Sequence, residues 1–304
     1  MLAALCCRRS WPAEGTTGRS EQLILLPLSS QADSSSKRRF EVNARCATVS
    51  LTATCPGGNI ITVMNTRTPA TQLETAVGPY ADDVALVAGE LTRRGWAEAN
   101  AGNISVRLSE GPILSSLLVK RANTRMRDLA RNPAEGLCLL RFGAGDRSYS
   151  VVPKGTQPSS ELPAHVAVHD MLARFRHHDR VVVHTHPTAL VSLTHKLPSQ
   201  KGLIRLLLST CTEAPILLQD RLTAIPFLPP GTSSLGRATA NALEQFSAVI
   251  WPAHGIVAVG RTAASALDLV ELTEKAAQIA LNLGSHSGLS PAQQKVCRKA
   301  ARLE

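Results

Sequence analysis

The chain has 304 residues, 44% apolar, 18% charged and 3% aromatic. This excludes a wholly disordered polymer, allows a sizeable core in one large or two small domains, and leaves little for a base-stacking nucleic-acid surface. The formal net charge is +10, but the 33 Lys and Arg are spread along the chain apart from Lys37-Arg38-Arg39, so a merely basic surface accounts for it.

Residues 1–63 carry seven Lys or Arg against four acids, with Ser34-Ser35-Ser36 and no sustained helical period. Residues 1–70 are expected to be an irregular basic leader: a transit-like segment, or a start extended upstream of Met64. The chain becomes regular from about residue 71, and residues 71–304 read as one α/β domain. Val84, Leu86, Val87 and Leu91 predict a helix within Tyr80–Trp96. A small polar loop follows at Ala99–Ser105. Strands are expected at Ile104–Leu108, Ile113–Val119, Gly136–Phe142 and Tyr149–Val152.

Ser159-Ser160 are expected to cap a helix over Glu161–Phe175. Arg180–His186 is a β-branched strand, followed by helices from Pro187 and over Ser199–Ser209. Thr223–Leu228 is the next expected strand, and Ser233 opens a helix to about Phe246. Val249–Trp251 and Ile256–Val259 read as strands around His254-Gly255. A long helix is expected over Ala263–Leu283 and a basic one from Pro291. No apolar run approaches the roughly 18 residues of a membrane-spanning helix. The seven cysteines form no Cys-x-x-Cys pair, which argues against a zinc ribbon or a disulfide framework and for a reducing compartment.

His184-Thr185-His186 stands out chemically. Residues i and i+2 of a strand share a face, so two imidazoles at a strand end can share one metal. His254, beside the permissive Gly255, is the best candidate for a third ligand. Glu161, His165 and His169 form a rival stripe on one helix face, though His165 and His169 more often serve packing or hold ligands in place. Glu161 opens its helix, where a carboxylate is either a plain capping acid or a base held beside a metal. The loop Asn100-Ala101-Gly102-Asn103 and the helix start at Ser159-Ser160 are candidate anion-binding elements.

Gly102-Asn103, Ser159-Ser160-Glu161, His184-Thr185-His186 and His254-Gly255 follow one another in the order and spacing of the class II aldolase/adducin-like family, which roughly residues 74–304 resemble. The resemblance implies an α/β fold with a central, mostly antiparallel β-sheet covered by helices. It implies zinc held by His184, His186 and His254, with Glu161 as the catalytic base. Asn100, Gly102, Asn103, Ser159 and Ser160 would cradle a substrate phosphate. Glu213 falls where the family has an acid reaching a neighbouring subunit's site.

Ser160-Glu161-Leu162-Pro163-Ala164-His165, Pro230-Gly231-Thr232, Trp251-Pro252 and Thr273-Glu274-Lys275 are similar to the branch that cleaves L-rhamnulose 1-phosphate to dihydroxyacetone phosphate and L-lactaldehyde. In that reaction zinc would stabilise an enediolate. The implied partners are a small sugar phosphate and further copies of the chain in a homotetramer, with no nucleic acid and no membrane. The implied setting is the cytoplasm, or the mitochondrion if the leader is a transit peptide. Other readings are a sugar-phosphate epimerase, a methylthioribulose-phosphate dehydratase, and a non-catalytic adducin-like scaffold. Where the family has a phosphate-touching Ser-Gly, this chain has Lys120-Arg121, two cations expected to meet a phosphate or to face solvent.

Overall fold

The computed structural model describes residues 48–54, 60–66, 68–143, 148–197, 199–284 and 288–301. The chain divides into two compact units, Met1–Thr68 and Pro69–Glu304. In the first, β1 (Thr48–Thr54) and β2 (Ile60–Thr66) pair antiparallel, with Thr48 opposite Thr66. This differs from the irregular segment expected there. The β-branched residues of TVSLTAT and IITVMNT suit a pleated ribbon. Residues 1–47 of the expected leader, and Met64 as a chain start, lie outside what the described residues address.

The second unit opens with α1 (Pro69–Val77) and α2 (Ala81–Arg93), then β3 (Asn103–Arg107) and β4 (Ser116–Lys120). Two short helices, α3 (Met126–Arg131) and α4 (Pro133–Gly136), lead into β5 (Leu137–Phe142) and β6 (Tyr149–Val152). Then come α5 (Leu162–Phe175), β7 (Val181–Thr185), α6 (Thr188–Lys196), α7 (Gln200–Leu208), α8 (Glu213–Leu217) and β8 (Leu222–Ala224). The chain closes with α9 (Ser233–Leu243), β9 (Ala248–Trp251), β10 (Gly255–Gly260), α10 (Ala263–Leu283) and α11 (Pro291–Ala301).

Eight strands form one sheet in the order β6-β5-β4-β3-β7-β10-β9-β8. Every junction is antiparallel except β8–β9. The expected mixed α/β fold with a mostly antiparallel sheet is borne out. Strand alternation sorts the core onto two faces. Leu118, Val183, Ile256 and Ala258 pack with Val87 and Leu91 of α2 and Val270 of α10. Val182, Val249, Trp251 and Val257 pack on the other face with Val168 and Leu172 of α5 and Leu235 of α9. His184 is two residues from Val182 and shares its face. The central strand β7 is buried on both faces, so Val183→Ala would remove well-packed methyls at about 1–2 kcal/mol.

Polar groups hold helix starts where the sheet needs them. Glu274 of α10 is buried and accepts from the Ala189 and Leu190 N–H groups of α6 at 3.0 and 2.8 Å. It thereby anchors the helix that begins just after His186. Asp83 of α2 does the same for the Ala263 and Ala264 N–H groups at the start of α10. Among the described residues no helix is long and apolar enough to cross a membrane.

Candidate metal centre and active site

His184, His186 and His254 each offer a ring nitrogen, and the three atoms lie within 4.8 Å of one another. Strand geometry delivers the first two. His184 ends the buried face of β7, and His186 follows one residue past the strand, tied by its N–H to the Trp96 carbonyl at 2.9 Å. His254 comes from the turn joining β9 to β10. Ala253 there takes a left-handed φ of 57°, unfavourable for a residue with a Cβ, and its N–H is held by Thr194 Oγ1 at 2.9 Å. Gly255 has to be glycine, because a Cβ would collide with the Thr185 carbonyl. Trp251 closes the floor of the site, with its ring 4.6 Å from His184 and 5.0 Å from His254 between centroids. Its indole N–H donates to Thr239 Oγ1 at 2.9 Å.

The donor set fits a divalent metal. His184 Nδ1 lies 3.0 Å from the Ile256 carbonyl, which can only accept, so that nitrogen carries the proton. His186 Nδ1 lies 2.9 Å from Glu98 Oε1, again an acceptor. In the neutral rings both Nε2 atoms then present lone pairs, and they face each other at 3.1 Å. Two lone pairs so close repel unless a cation lies between them. Burial holds His184 well below the usual histidine pKa and brings His254 down to about 4, so neutral imidazoles, the metal-binding form, prevail.

Glu161 stands beside this cluster. It occupies the N-cap position of α5 but makes no side-chain capping bond. Its Oε2 instead accepts the Gly231 N–H at 3.2 Å, and its Oε1 lies 4.0 Å from His254 Nε2. Burial raises its carboxyl pKa, against the lowering effect of the Gly231 bond. The plain capping acid is thus not what forms here. A carboxylate with a raised pKa is better matched to proton transfer. The rival stripe separates. His165 Nδ1 and His169 Nε2 turn under the site onto the Ser105 hydroxyl, at 2.6 and 2.8 Å, and both rings are buried away from the metal cluster.

The candidate anion-binding residues lie near the ends of neighbouring strands. The β3–β7 register sets Asn103 opposite His184. Gly102 has a φ of 73°, and a Cβ there would press on the His184 carbonyl. The segment before Glu161 runs beside the end of β4, with the Ser159 N–H on the Lys120 carbonyl at 3.0 Å. Ser159 is buried and Ser160 exposed, and Ser159 Oγ accepts the Glu161 N–H at 3.2 Å.

Lys120 was expected at a phosphate or in solvent, and the solvent-facing orientation is not what forms. It is buried, with Nζ donating to the carbonyls of Asn100 at 2.7 Å and Thr124 at 2.6 Å, and burial brings it to about pKa 8. Arg121 is likewise turned onto the Leu137 and Ala134 carbonyls. Alternation explains the first case, since Lys120 shares a strand face with buried Leu118. Both cations tie loops together from behind.

Glu213 is not brought to the histidines within one chain. It begins α8 at the surface, accepts from Thr212 Oγ1 at 3.0 Å, and lines a cleft with Arg94, Trp96, Leu217 and Lys275. Glu98 was missed from sequence. Its only signal was an acid two residues before the Asn100 loop.

A three-histidine group that could hold a metal thus stands with a partly buried carboxylate at one end of a sheet, beside a glycine loop. The chain belongs to the class II aldolase and adducin family, whose description, "Class II Aldolase and Adducin N-terminal domain", matches residues 82–281. It is a lyase of the aldolase type. It is similar to a rhamnulose-1-phosphate aldolase of Bacteroides thetaiotaomicron, 33% identical over 250 residues, 72% of this chain and 93% of that protein. A rhamnulose-1-phosphate aldolase of Listeria welshimeri is 30% identical over 67% of this chain and 84% of its own length. Among solved structures, a sugar-phosphate aldolase from Thermotoga maritima is 32% identical with a TM-score of 0.60, covering 67% of this chain and 94% of that one.

Proposed function

We propose that the protein is a zinc-dependent aldolase that reversibly cleaves L-rhamnulose 1-phosphate to dihydroxyacetone phosphate and L-lactaldehyde. The observation that carries this reading is the Glu161 carboxylate poised 4.0 Å from His254, a candidate ligand, at the edge of the three-histidine cluster. The names of the two relatives support the sugar.

In this reading His184, His186 and His254 hold the metal. When bound, the metal supplies Lewis-acid stabilisation of negative charge developing on the ketose oxygens. Asn100, Gly102, Asn103, Ser159 and Ser160 bind the phosphate and so place the carbon chain against Glu161. In cleavage the C4 hydroxyl loses its proton, the C3–C4 bond breaks, and C4 becomes the aldehyde carbon. The electron pair left on the three-carbon fragment is quenched by a proton that Glu161 delivers to C3. In condensation Glu161 removes that proton from dihydroxyacetone phosphate. Its partial burial keeps it from being solvated as an ordinary surface carboxylate, which strengthens it as a base.

Glu213, at the surface at the start of α8, serves the site of a second copy in a homotetramer. There it handles the C4 hydroxyl proton. The chain works in the cytoplasm, with Met1–Thr68 outside the catalytic unit.

The test is cleavage of L-rhamnulose 1-phosphate and of L-fuculose 1-phosphate by the purified full-length protein, with and without a chelator. Chelator-sensitive release of dihydroxyacetone phosphate, with kcat/KM higher for the rhamnulose ester, is expected. Cleavage unaffected by the chelator would reject the metal, and a preference for the fuculose ester would reject the sugar.

A further inference from the structure

The carboxylate of Glu98 has no place in the reaction just described, yet among the described residues it makes the closest acidic contact to the three histidines. Its Oε1 lies 2.9 Å from His186 Nδ1. The two other rings differ in how they are held. The Ile256 carbonyl fixes His184 through the backbone of the neighbouring strand. His254 Nδ1 is buried with no partner among the described residues, so none of them fixes its tautomer. His186 lies beyond the end of β7, where no sheet ladder constrains it. Its backbone is tied to Trp96, and its ring is tied to Glu98, two residues further along the same loop.

A free imidazole places its proton on either nitrogen. The wrong choice puts an N–H where a lone pair is needed. An acceptor at Nδ1 removes that choice, orients the ring, and raises the basicity of Nε2. Glu98 also belongs to the loop that continues into Asn100–Asn103, because its backbone carbonyl accepts the Ala101 N–H at 2.8 Å. Its side chain serves the histidine cluster while its backbone shapes the glycine loop.

Resting on the metal-site part of the proposed function, we infer that Glu98 is a positioning residue that locks His186 in the Nδ1–H tautomer and aims Nε2 at the metal. The role belongs to the side chain. In the carboxylate–histidine pairing that results, the acid never touches metal or substrate. The Glu98 side chain is 66% exposed, so replacing it removes little packing.

The experiment measures zinc affinity directly, by competition with a chromophoric chelator, for metal-free wild type, Glu98→Ala and Glu98→Gln. Glu98→Ala is expected to bind zinc about 10–100-fold more weakly, the usual effect of removing such a partner, with the thermal midpoint of the metal-free protein unchanged. Glu98→Gln keeps an amide oxygen that accepts the Nδ1–H, and is expected to recover part of the loss. Cobalt substitution gives a second readout, since a misaimed His186 changes the visible spectrum. Wild-type zinc affinity in Glu98→Ala would overturn the inference. So would a loss matched by an equal fall in the stability of the metal-free protein, which would mark a loop effect. A wild type that binds no zinc would instead overturn the metal reading, and the role of Glu98 with it.

Discussion

Glu161 Oε1 lies 4.0 Å from His254 Nε2, and the side chains are only 10% and 18% exposed. The pair joins the start of α5 to the β9–β10 turn and brings an acid with a raised pKa to the edge of the candidate metal site. Burial is the larger influence on Glu161, so its ionised form is the one disfavoured in the folded protein. A raised folded pKa means that stability from the neutral acid is full below the ordinary value of 4.5 and is lost as pH rises through the folded value. Metal-free Glu161→Gln is therefore expected to be at least as stable as wild type at pH 7 and to gain nothing near pH 4. Urea midpoints at the two pH values check this. A marked loss at pH 7 would show that the carboxylate is held mainly by favourable contacts.

His254 is expected to be needed for metal but little needed for the fold, since it sits on a turn with an unpartnered Nδ1. His254→Ala should weaken zinc binding by more than about 100-fold, beyond the effect of losing an outer partner. Metal content after dialysis measures it. A full complement of zinc would place the third ligand elsewhere.

Lys120 ties the Asn100 and Thr124 carbonyls together behind the glycine loop. Lys120→Met leaves both carbonyls without their charged donor. A stability loss of about 2 kcal/mol is expected, together with a KM for the sugar phosphate raised about tenfold and an unchanged zinc content. Steady-state kinetics and metal analysis separate these effects. An unchanged KM would mean that the loop keeps its shape unaided.

His165 is fully buried on Ser105, and burial lowers its pKa from 6.5 to about 4. A lowered histidine favours the folded state above pH 6.5 and loses that contribution as pH falls toward 4. At pH 5 the unfolded chain gains about 2 kcal/mol from protonating this one residue. The loss of stability between pH 7 and pH 5 should therefore be smaller by about that amount in His165→Gln than in wild type. Equal losses in the two proteins would show that His165 accepts a proton while folded.

Strongly patterned elements were legible in the sequence. Helix α10 runs over Ala263–Leu283, the limits expected for it, and β5, β6 and β7 fall within a residue or so of expectation. The short helices α3 and α4 were not foreseen, because six and four residues are too few to show a period. The three histidines were legible because strand spacing and a glycine turn mark them. Their register with Asn103 was not, since cross-strand pairing depends on distant partners. The inward turn of Lys120 was within reach. Ending β4 at Val119 instead of Lys120 hid its shared face with Leu118. Glu98 carries no local pattern, and its meaning arises only when the loop folds against the end of β7.

Glu161 is proposed to move the proton at C3 of the three-carbon product. Exchange of that hydrogen can be followed by NMR with dihydroxyacetone phosphate alone in deuterated water, using zinc-loaded wild type and Glu161→Gln. Steady deuterium incorporation is expected with wild type, with exchange slowed at least about 100-fold in the variant at equal zinc content. Exchange at the wild-type rate in zinc-loaded Glu161→Gln would contradict it.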